Sequence, residues 1–424
     1  MGVGIDRSTG RPSRRGVLKG AMAGATLAGF PAIVKAQGAN PIKIGVPTIL
    51  SGRVALVGQT STGGMRSVFD KVNAAGGING RKIELVVRDS KGAPQEAAKV
   101  TRDLINNDGC HIILDAEASS GAFAVHEVIR EIGVLCIHTN SETSSLTADP
   151  KLHVPTAFRS ARQGIHDAIG GGDYAAKISK ARGLKKWVTC SPDYAYGRAN
   201  TSEFMEYAKY FDPSITVIDE AWPKLFQPDY TEVVTKVLNA KADAMYSALW
   251  GGDLVSFIDQ GNLYGLFDKL TSFMVNLGDY GVITEVKQFP GGVHSGGRYN
   301  RTVPKTAENE AWYQEYVKTY KHQPTNWSWE NATAATFVVE ALKATNGDTD
   351  GKKLAAAIKG MKIKSPWGVD GSLTMRAEDN TLVGYIIGYG TSLPKEPFID
   401  GFVTSPWEPI LELEKQWKKK QGYA

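Results

Sequence analysis

The stretch IILDAEASSGAFAVHE, residues 112–127, carries the reading on which the fold turns. Ile112, Ile113 and Leu114 form a short apolar run of strand type, and an acidic turn follows. Phe123, Val125, Val128 and Ile129 then recur at the spacing of an amphipathic helix. A strand that passes directly into a helix is half of a βαβ unit, the connection that parallel strands require. Ser119 and Ser120 stand where the helix should begin. They can act as N-caps for orphan backbone N–H groups. Those same N–H groups can instead hold the negative end of a ligand. At this point both readings stand.

The same alternation runs outward in both directions. Toward the N-terminus, IKIGV (42–46) and KIELVVRD (82–89) read as strands, with helices over 58–75 and 94–107; VLCIH (134–138) follows the central helix. After Phe158 and Arg159 the pattern restarts with a helix over 161–182. Strands KWVTC, ITVID, DAMYSAL and TSFMV then alternate with helices over 196–210, 229–240 and 252–264. This predicts an α/β chain of two doubly wound parallel-sheet lobes with helices on both faces. The Gly- and Pro-rich segment 290–305 reads as a crossing. Helices are expected over 307–321, 330–345 and 352–360, then strands in WGVDGSLTM and LVGYIIGYG, and the basic tail from Glu408 reads as a solvated appendage. Ligands of open parallel sheets bind beyond the carboxyl ends of the strands. Two such sheets facing one another define a cleft that can close about a hinge.

A chain of 424 residues is long enough for two lobes with cores of their own. The formal charge of +5 suggests an acidic partner until the N-terminus is considered. Residues 13–37, SRRGVLKGAMAGATLAGFPAIVKAQ, resemble a twin-arginine export signal: Ser13, Arg14, Arg15, Leu18 and Lys19 fit, with cleavage expected after Ala36. Residues 1–36 carry six basic side chains and one acid, so their removal takes the 49 basic and 44 acidic residues to 43 of each. A neutral chain has no electrostatic footprint for nucleic acid. No later segment approaches the ~20 apolar residues of a membrane span. Cys110, Cys136 and Cys190 lie in apolar runs as buried small hydrophobes, with a Cys110–Cys136 disulfide as the other possibility. The histidines are scattered, and neither a metal nor a cofactor is expected. No GxGxxG follows a strand to open a helix, and P-loop, GxSxG and HExxH motifs are missing from the sequence. Asp193 near Tyr196 has no positioned nucleophile, so an exported enzyme is the weaker reading.

Four segments in order, IKIGVPTILSG, KVNAAGGINGRKIELVVRDSKGAP, SPDYAYGR and VLNAKADAMYSALWGGD, resemble the leucine/isoleucine/valine-binding family of solute receptors of ABC importers. The resemblance covers about residues 41–390 and implies the type I periplasmic-binding-protein fold. It implies an N-terminal lobe of 41–159 plus 298–366, a C-terminal lobe of 160–297 plus 367–424, and three crossings near 159, 298 and 366. It also implies a monomeric periplasmic receptor that closes on a small amino-acid-like or carboxylate-bearing solute and passes it to a membrane permease and ATPase. A ligand-sensing subunit of the same fold is the alternative. Residue by residue, Ser119 and Ser120 match the loop that cradles a ligand carboxylate, and Asn140 and Glu142 fall on the neighbouring loop. Tyr196 and Trp250 match aromatic positions of the cleft. Glu142 departs from the family's small and hydroxyl residues, and would repel a ligand carboxylate unless protonated, turned away or paired. Leu277 holds the place of the family's acidic partner for an ammonium, with Asp279 two residues on, and Val57 stands where an aromatic is common. Arg53 is either a partner for an anionic ligand or an exposed loop residue.

Replacing Arg14 and Arg15 together by lysine is expected to leave the precursor in the cytoplasm. Normal recovery of the doubly substituted protein outside the cytoplasm removes the twin-arginine reading.

Overall fold

The computed structural model describes residues 40–424; the twin-arginine segment lies outside them. The first half of the chain builds β1 (Ile42–Thr48), α1 (Leu56–Ala74), β2 (Ile83–Asp89), α2 (Pro94–Asn106), β3 (Ile112–Asp115), α3 (Ser119–Ile132), β4 (Leu135–His138), α4 (Ser145–Ala148) and β5 (Ala157–Arg159). The strands form one parallel sheet in the order β2-β1-β3-β4-β5. Every residue of β3 and β4 is buried, as expected of strands covered by helices on both faces. Helix α2 shows how the pattern makes the packing: Ala97, Val100, Thr101 and Leu104, spaced three and four apart, are its buried face.

The second unit repeats the plan with α5 (Gly164–Arg182), β6 (Lys186–Cys190), α6 (Ala195–Phe211), β7 (Thr216–Ala221), α7 (Thr231–Asn239), β8 (Ala244–Ser247) and α8 (Gly251–Leu263). It continues through α9 (Leu266–Lys269), β9 (Thr271–Met274), α10 (Tyr280–Ile283) and β10 (His294–Gly296). Its sheet runs β7-β6-β8-β9-β10, the same winding as the first, and continues into two antiparallel strands, β14 and β15, introduced below. In each sheet the winding reverses beside its first strand, so each has its switch point at the carboxyl ends of its central strands.

The chain then builds α11 (Ala307–Tyr320), α12 (Asn326–Ala344) and α13 (Gly351–Ile358), followed by a small antiparallel sheet of β11 (Lys362–Lys364), β12 (Ser372–Met375) and β13 (Leu382–Val383). Only then does it re-enter the second sheet as β14 (Gly388–Ser392) and β15 (Ile399–Thr404), and it ends in α14 (Trp407–Gln421). The third crossing therefore lies over 384–387, after β13, and not near 366. LVGYIIGYG, read as one strand, is two strands of different sheets because Gly384 at φ 90° turns the chain between them. The small sheet is tied to the edge of the first sheet, where the Arg159 N–H donates to Asn380 O at 2.9 Å. The tail is no loose appendage. Ile410, Leu413, Glu414 and Trp417 of α14 are buried, and Glu414 pairs with Arg376 at 2.7 Å and His166 at 3.1 Å. All three cysteines are free and buried, so Cys110 and Cys136 form no disulfide.

The three crossings are laced together. The Arg162 guanidinium lies 4.8 Å over the Tyr385 ring and donates to Ile386 O at 3.0 Å, while the Gln163 N–H donates to the Tyr385 hydroxyl at 2.9 Å. The second and third crossings meet where the Gly297 N–H donates to Gly388 O at 2.8 Å.

Helix α12 is buried along most of its length and packs on α1, where Gly64 faces Ser328. A Cβ at Gly64 would lie 2.1 Å from the Ser328 carbonyl oxygen, a distance no side chain tolerates. Gly64→Ala is therefore expected to destabilise the protein by about 2 kcal/mol through overpacking. Chemical denaturation checks it, and an unchanged midpoint would mean that the two helices separate at no cost.

Candidate functional site

The carboxyl ends of the two sheets face one another, and between them lies a cavity with about 590 Å³ of space between its lining atoms. The first sheet's loops contribute Ser119, Asn140 and Glu142, with Val57 from α1. The second contributes Tyr194 and Tyr196 after β6, Trp250 after β8, and Asn276 and Asp279 after β9. Arg298 enters from the second crossing, and Asn326 and Trp327 from the start of α12.

Six of the seven residues singled out in the sequence meet at this cavity: Ser119, Asn140, Glu142, Tyr196, Trp250 and Asp279. Ser120 does not, because one residue of helix turns the chain by about 100° away from the cleft. Neither serine is an N-cap. Ala118 holds that position and cannot cap through its methyl group, and Ser119 is already the first helical residue, its Oγ accepting from the Ser141 hydroxyl at 3.1 Å. Arg53 stays out of the cavity and closes over its mouth, donating from the first lobe to Gly252 O at 2.9 Å. Leu277 is buried in the core beneath the cavity.

The cavity is where helices begin. Helices α3, α6 and α8, of 14, 17 and 13 residues, start at Ser119, Ala195 and Gly251, and none has a side-chain cap. Their first N–H groups have no intrahelical acceptor, and each helix carries a partial positive charge at this end. Helix α12 also starts here, but it is capped twice: by the Thr325–Ser328 capping box and by Asp279, whose Oδ2 accepts the Asn326 N–H across the cleft. Asp279 Oδ1 accepts the Gly281 N–H at 2.7 Å. Burial lifts the Asp279 pKa to about 6, against the two N–H groups that favour its charge.

Glu142 is paired. Both its oxygens receive the Arg298 guanidinium, at 2.5 and 2.9 Å, with both side chains buried. Burial opposes the Arg298 charge, yet Glu142 outweighs it and holds Arg298 well above the ordinary arginine value. Behind this pair, burial and the charge of Glu142 hold the Glu330 carboxyl well above the usual carboxylate range. Its Oε2 accepts from Asn326 Nδ2 at 3.0 Å. Asn140 is fully engaged, donating to Ser61 Oγ at 3.0 Å and Ala116 O at 3.1 Å while accepting from Asn331 at 2.8 Å.

The groups left to meet a ligand are donors with an aromatic surround. Tyr196 Oη accepts from Asn276 Nδ2 at 3.1 Å and keeps its proton to give. Trp250 is 8% exposed and its Nε1–H has no hydrogen-bond acceptor in the protein; Tyr194 lies near it without completing one. Trp250 meets Trp327 edge-on, with centroids 5.9 Å apart. Sequence reasoning missed Arg298, which sits in the segment read as a glycine-rich crossing. It also missed Asn326 and Trp327, although TNWS (325–328) has the Thr-x-x-Ser form of the capping box found there.

A family model described as periplasmic binding protein matches residues 41–387. A Leu/Ile/Val-binding protein homolog 4 of Brucella abortus (strain 2308) is 26% identical over 368 residues, 81% of this chain and 82% of that protein. A solute-binding protein of an ABC transporter from Rhodopseudomonas palustris BisB5, solved with 3,4-dihydroxybenzoic acid, superposes with a TM-score of 0.75 at 25% identity, over 86% of this chain and 95% of that one. A leucine-, isoleucine-, valine-, threonine- and alanine-binding protein of Brucella ovis in its closed conformation superposes with a TM-score of 0.71 at 23% identity, covering 87% and 95%. Among the described residues no helix is long and apolar enough to cross a membrane. With the match spanning both sheets and the cleft between them, the chain belongs to the periplasmic binding protein family, the solute-binding components of ABC transporters.

Proposed function

We propose that this protein is the extracytoplasmic receptor of an ABC importer and that the interlobe cavity takes a small amino-acid-like or other carboxylate-bearing solute. One observation carries the reading: three uncapped helix N-termini, belonging to both lobes, open onto one buried cavity. Such ends attract a carboxylate, and an anion they share draws the lobes together. The Brucella abortus relative is by name a Leu/Ile/Val-binding protein homolog and the Rhodopseudomonas palustris protein was solved with 3,4-dihydroxybenzoic acid, and these compounds have a carboxylate in common.

Ser119, Asn140, Glu142, Tyr196, Trp250 and Asp279 are the proposed ligand-binding residues, with Arg298 added and Ser120 set aside. Binding proceeds as a shift of population: the solute engages one lobe and stabilises closure through contacts that need both. The closed receptor then presents its solute to a membrane permease driven by an ATPase. The lobes move about crossings at 160–163, 297–306 and 384–387, with residues 362–383 moving with the first lobe. No nucleophile or acid–base pair is needed for this cycle.

A thermal-shift screen of amino acids, aromatic acids and dicarboxylates tests the reading. A solute held at 100 times its dissociation constant adds about 2.7 kcal/mol. With that solute, small-angle scattering should show a smaller radius of gyration on saturation; an unchanged radius removes hinge closure. Trp250→Ala is expected to weaken binding by about 2 kcal/mol. Ser119→Ala costs about 1 kcal/mol, since the helix N–H groups stay in place. If both variants bind like the parent in calorimetry, the site lies elsewhere. Glu142→Gln leaves Arg298 buried without its counter-charge and is expected to lower stability by about 3 kcal/mol. Affinity for an anionic solute should hold or rise in that variant, and a tenfold loss would show that Glu142 pairs an ammonium.

A further inference from the structure

The charge pattern of the cavity narrows the solute beyond carrying a carboxylate. An α-amino acid buries an ammonium as well, and a buried cation needs a counter-charge of its own. The two carboxylates on the wall are committed elsewhere. Both oxygens of Glu142 hold Arg298. Both oxygens of Asp279 accept backbone N–H groups, from Gly281 and from Asn326 at the start of the 19-residue α12. Around these satisfied groups stand the uncapped starts of α3, α6 and α8, which favour negative charge and oppose positive.

A second, independent feature points to the other end of the solute. Trp250 stands on the second lobe, across the cleft from Ser119, and its buried Nε1–H completes no hydrogen bond among the described residues, with the Tyr194 hydroxyl near it. A buried donor left unpaired costs about 1–3 kcal/mol, so an acceptor supplied by the ligand recovers that much. The rings of Tyr194, Tyr196, Trp250 and Trp327 give the space between an apolar, flat-sided lining.

We infer that the solute is an organic acid without an α-ammonium group, whose carboxylate faces the helix N-termini and whose distal oxygen accepts the Trp250 indole N–H. This rests on the cavity being the solute site of a receptor, as proposed above. It makes Trp250 a specificity-determining residue through its N–H as well as its ring face.

Calorimetric titration of the purified protein with matched probes separates the possibilities. Phenylalanine and 3-phenylpropanoate differ in the ammonium alone, as do leucine and 4-methylpentanoate. 3-(4-Hydroxyphenyl)propanoate adds a distal oxygen. The des-amino acids are expected to bind at least tenfold tighter than their amino counterparts, and the hydroxyl to add about another tenfold. In Trp250→Phe, which keeps an aromatic ring and loses the N–H, every probe is expected to weaken with the smaller ring, but the advantage of the hydroxylated acid over 3-phenylpropanoate should vanish; an unchanged cooperative unfolding transition certifies the fold. Amino acids binding as tightly as, or tighter than, their des-amino partners overturn the inference and leave the receptor reading intact. A hydroxyl gain that persists in Trp250→Phe overturns the role of the indole N–H. Failure of every probe to bind overturns both the inference and the carboxylate reading of the site.

Discussion

The Glu142–Arg298 pair is the constraint around which the cleft is organised. Glu142 arrives on the loop after the fourth strand of the first sheet and Arg298 on the second crossing, so the pair ties one lobe to the hinge at the cavity wall. Charges this deep cost several kcal/mol each to dehydrate, and their attraction repays it only with good geometry and further partners. The bidentate fork supplies the geometry. Asp167, 3.9 Å from Arg298, and Glu330, whose carboxyl pKa is pushed upward by burial and Glu142, complete the surroundings. The same Asp167 holds Arg162 with its Nε at 2.8 Å, and Arg162 grips Tyr385 and Ile386 of the third crossing. All three crossings and the cavity thus share one chain of fixed charges. An error in any member leaves a buried charge uncompensated, which is why the pair serves positioning more than net stability.

The sheets explain why the cavity is where it is. Two lobes wound alike place their switch points at the same end of each sheet, and every helix that follows a central strand starts there. The cleft therefore inherits partial positive charge from backbone alone. That background makes Glu142 tolerable at the anion site proposed above: its charge is cancelled by Arg298, and the helices carry no side-chain caps there. Asp279 plays a separate part. By accepting the Asn326 N–H from the opposite lobe, it makes a closing contact that involves no solute. Ser144 does the same farther out, donating to Glu203 on α6 at 2.9 Å.

The alternation of apolar runs with amphipathic segments made both doubly wound units legible, because helix and strand periods differ and each segment was long enough to show its own. Ser119 was singled out at a strand-to-helix junction, and Tyr196 and Trp250 by resemblance to the family's cleft; all three line the one cavity because the topology sends such junctions to one edge. Arg298 was not, since a lone arginine among glycines has no periodicity and its partner lies 156 residues away. The third crossing was misplaced because LVGYIIGYG is apolar throughout, and only the backbone turn at Gly384 shows that its two halves belong to different sheets. The tail misled through its lysines. Ile410, Leu413 and Trp417 carry the burial, and the basic side chains cover the outer face.

Seen from the ligand's side, the incomplete amino-acid signature and the paired Glu142 are one fact. A site that presented a free carboxylate for an ammonium would have to leave that carboxylate buried and unpaired whenever the cleft closed without solute, at the cost of an isolated buried charge. Here Arg298 neutralises Glu142, and backbone N–H groups satisfy Asp279. The buried donor on the cavity wall that has no hydrogen-bond partner is neutral, the Trp250 indole N–H. An unpaired neutral donor costs far less than an unpaired ion, so the lobes can meet before the solute arrives, and an incoming acceptor gains what the donor was missing.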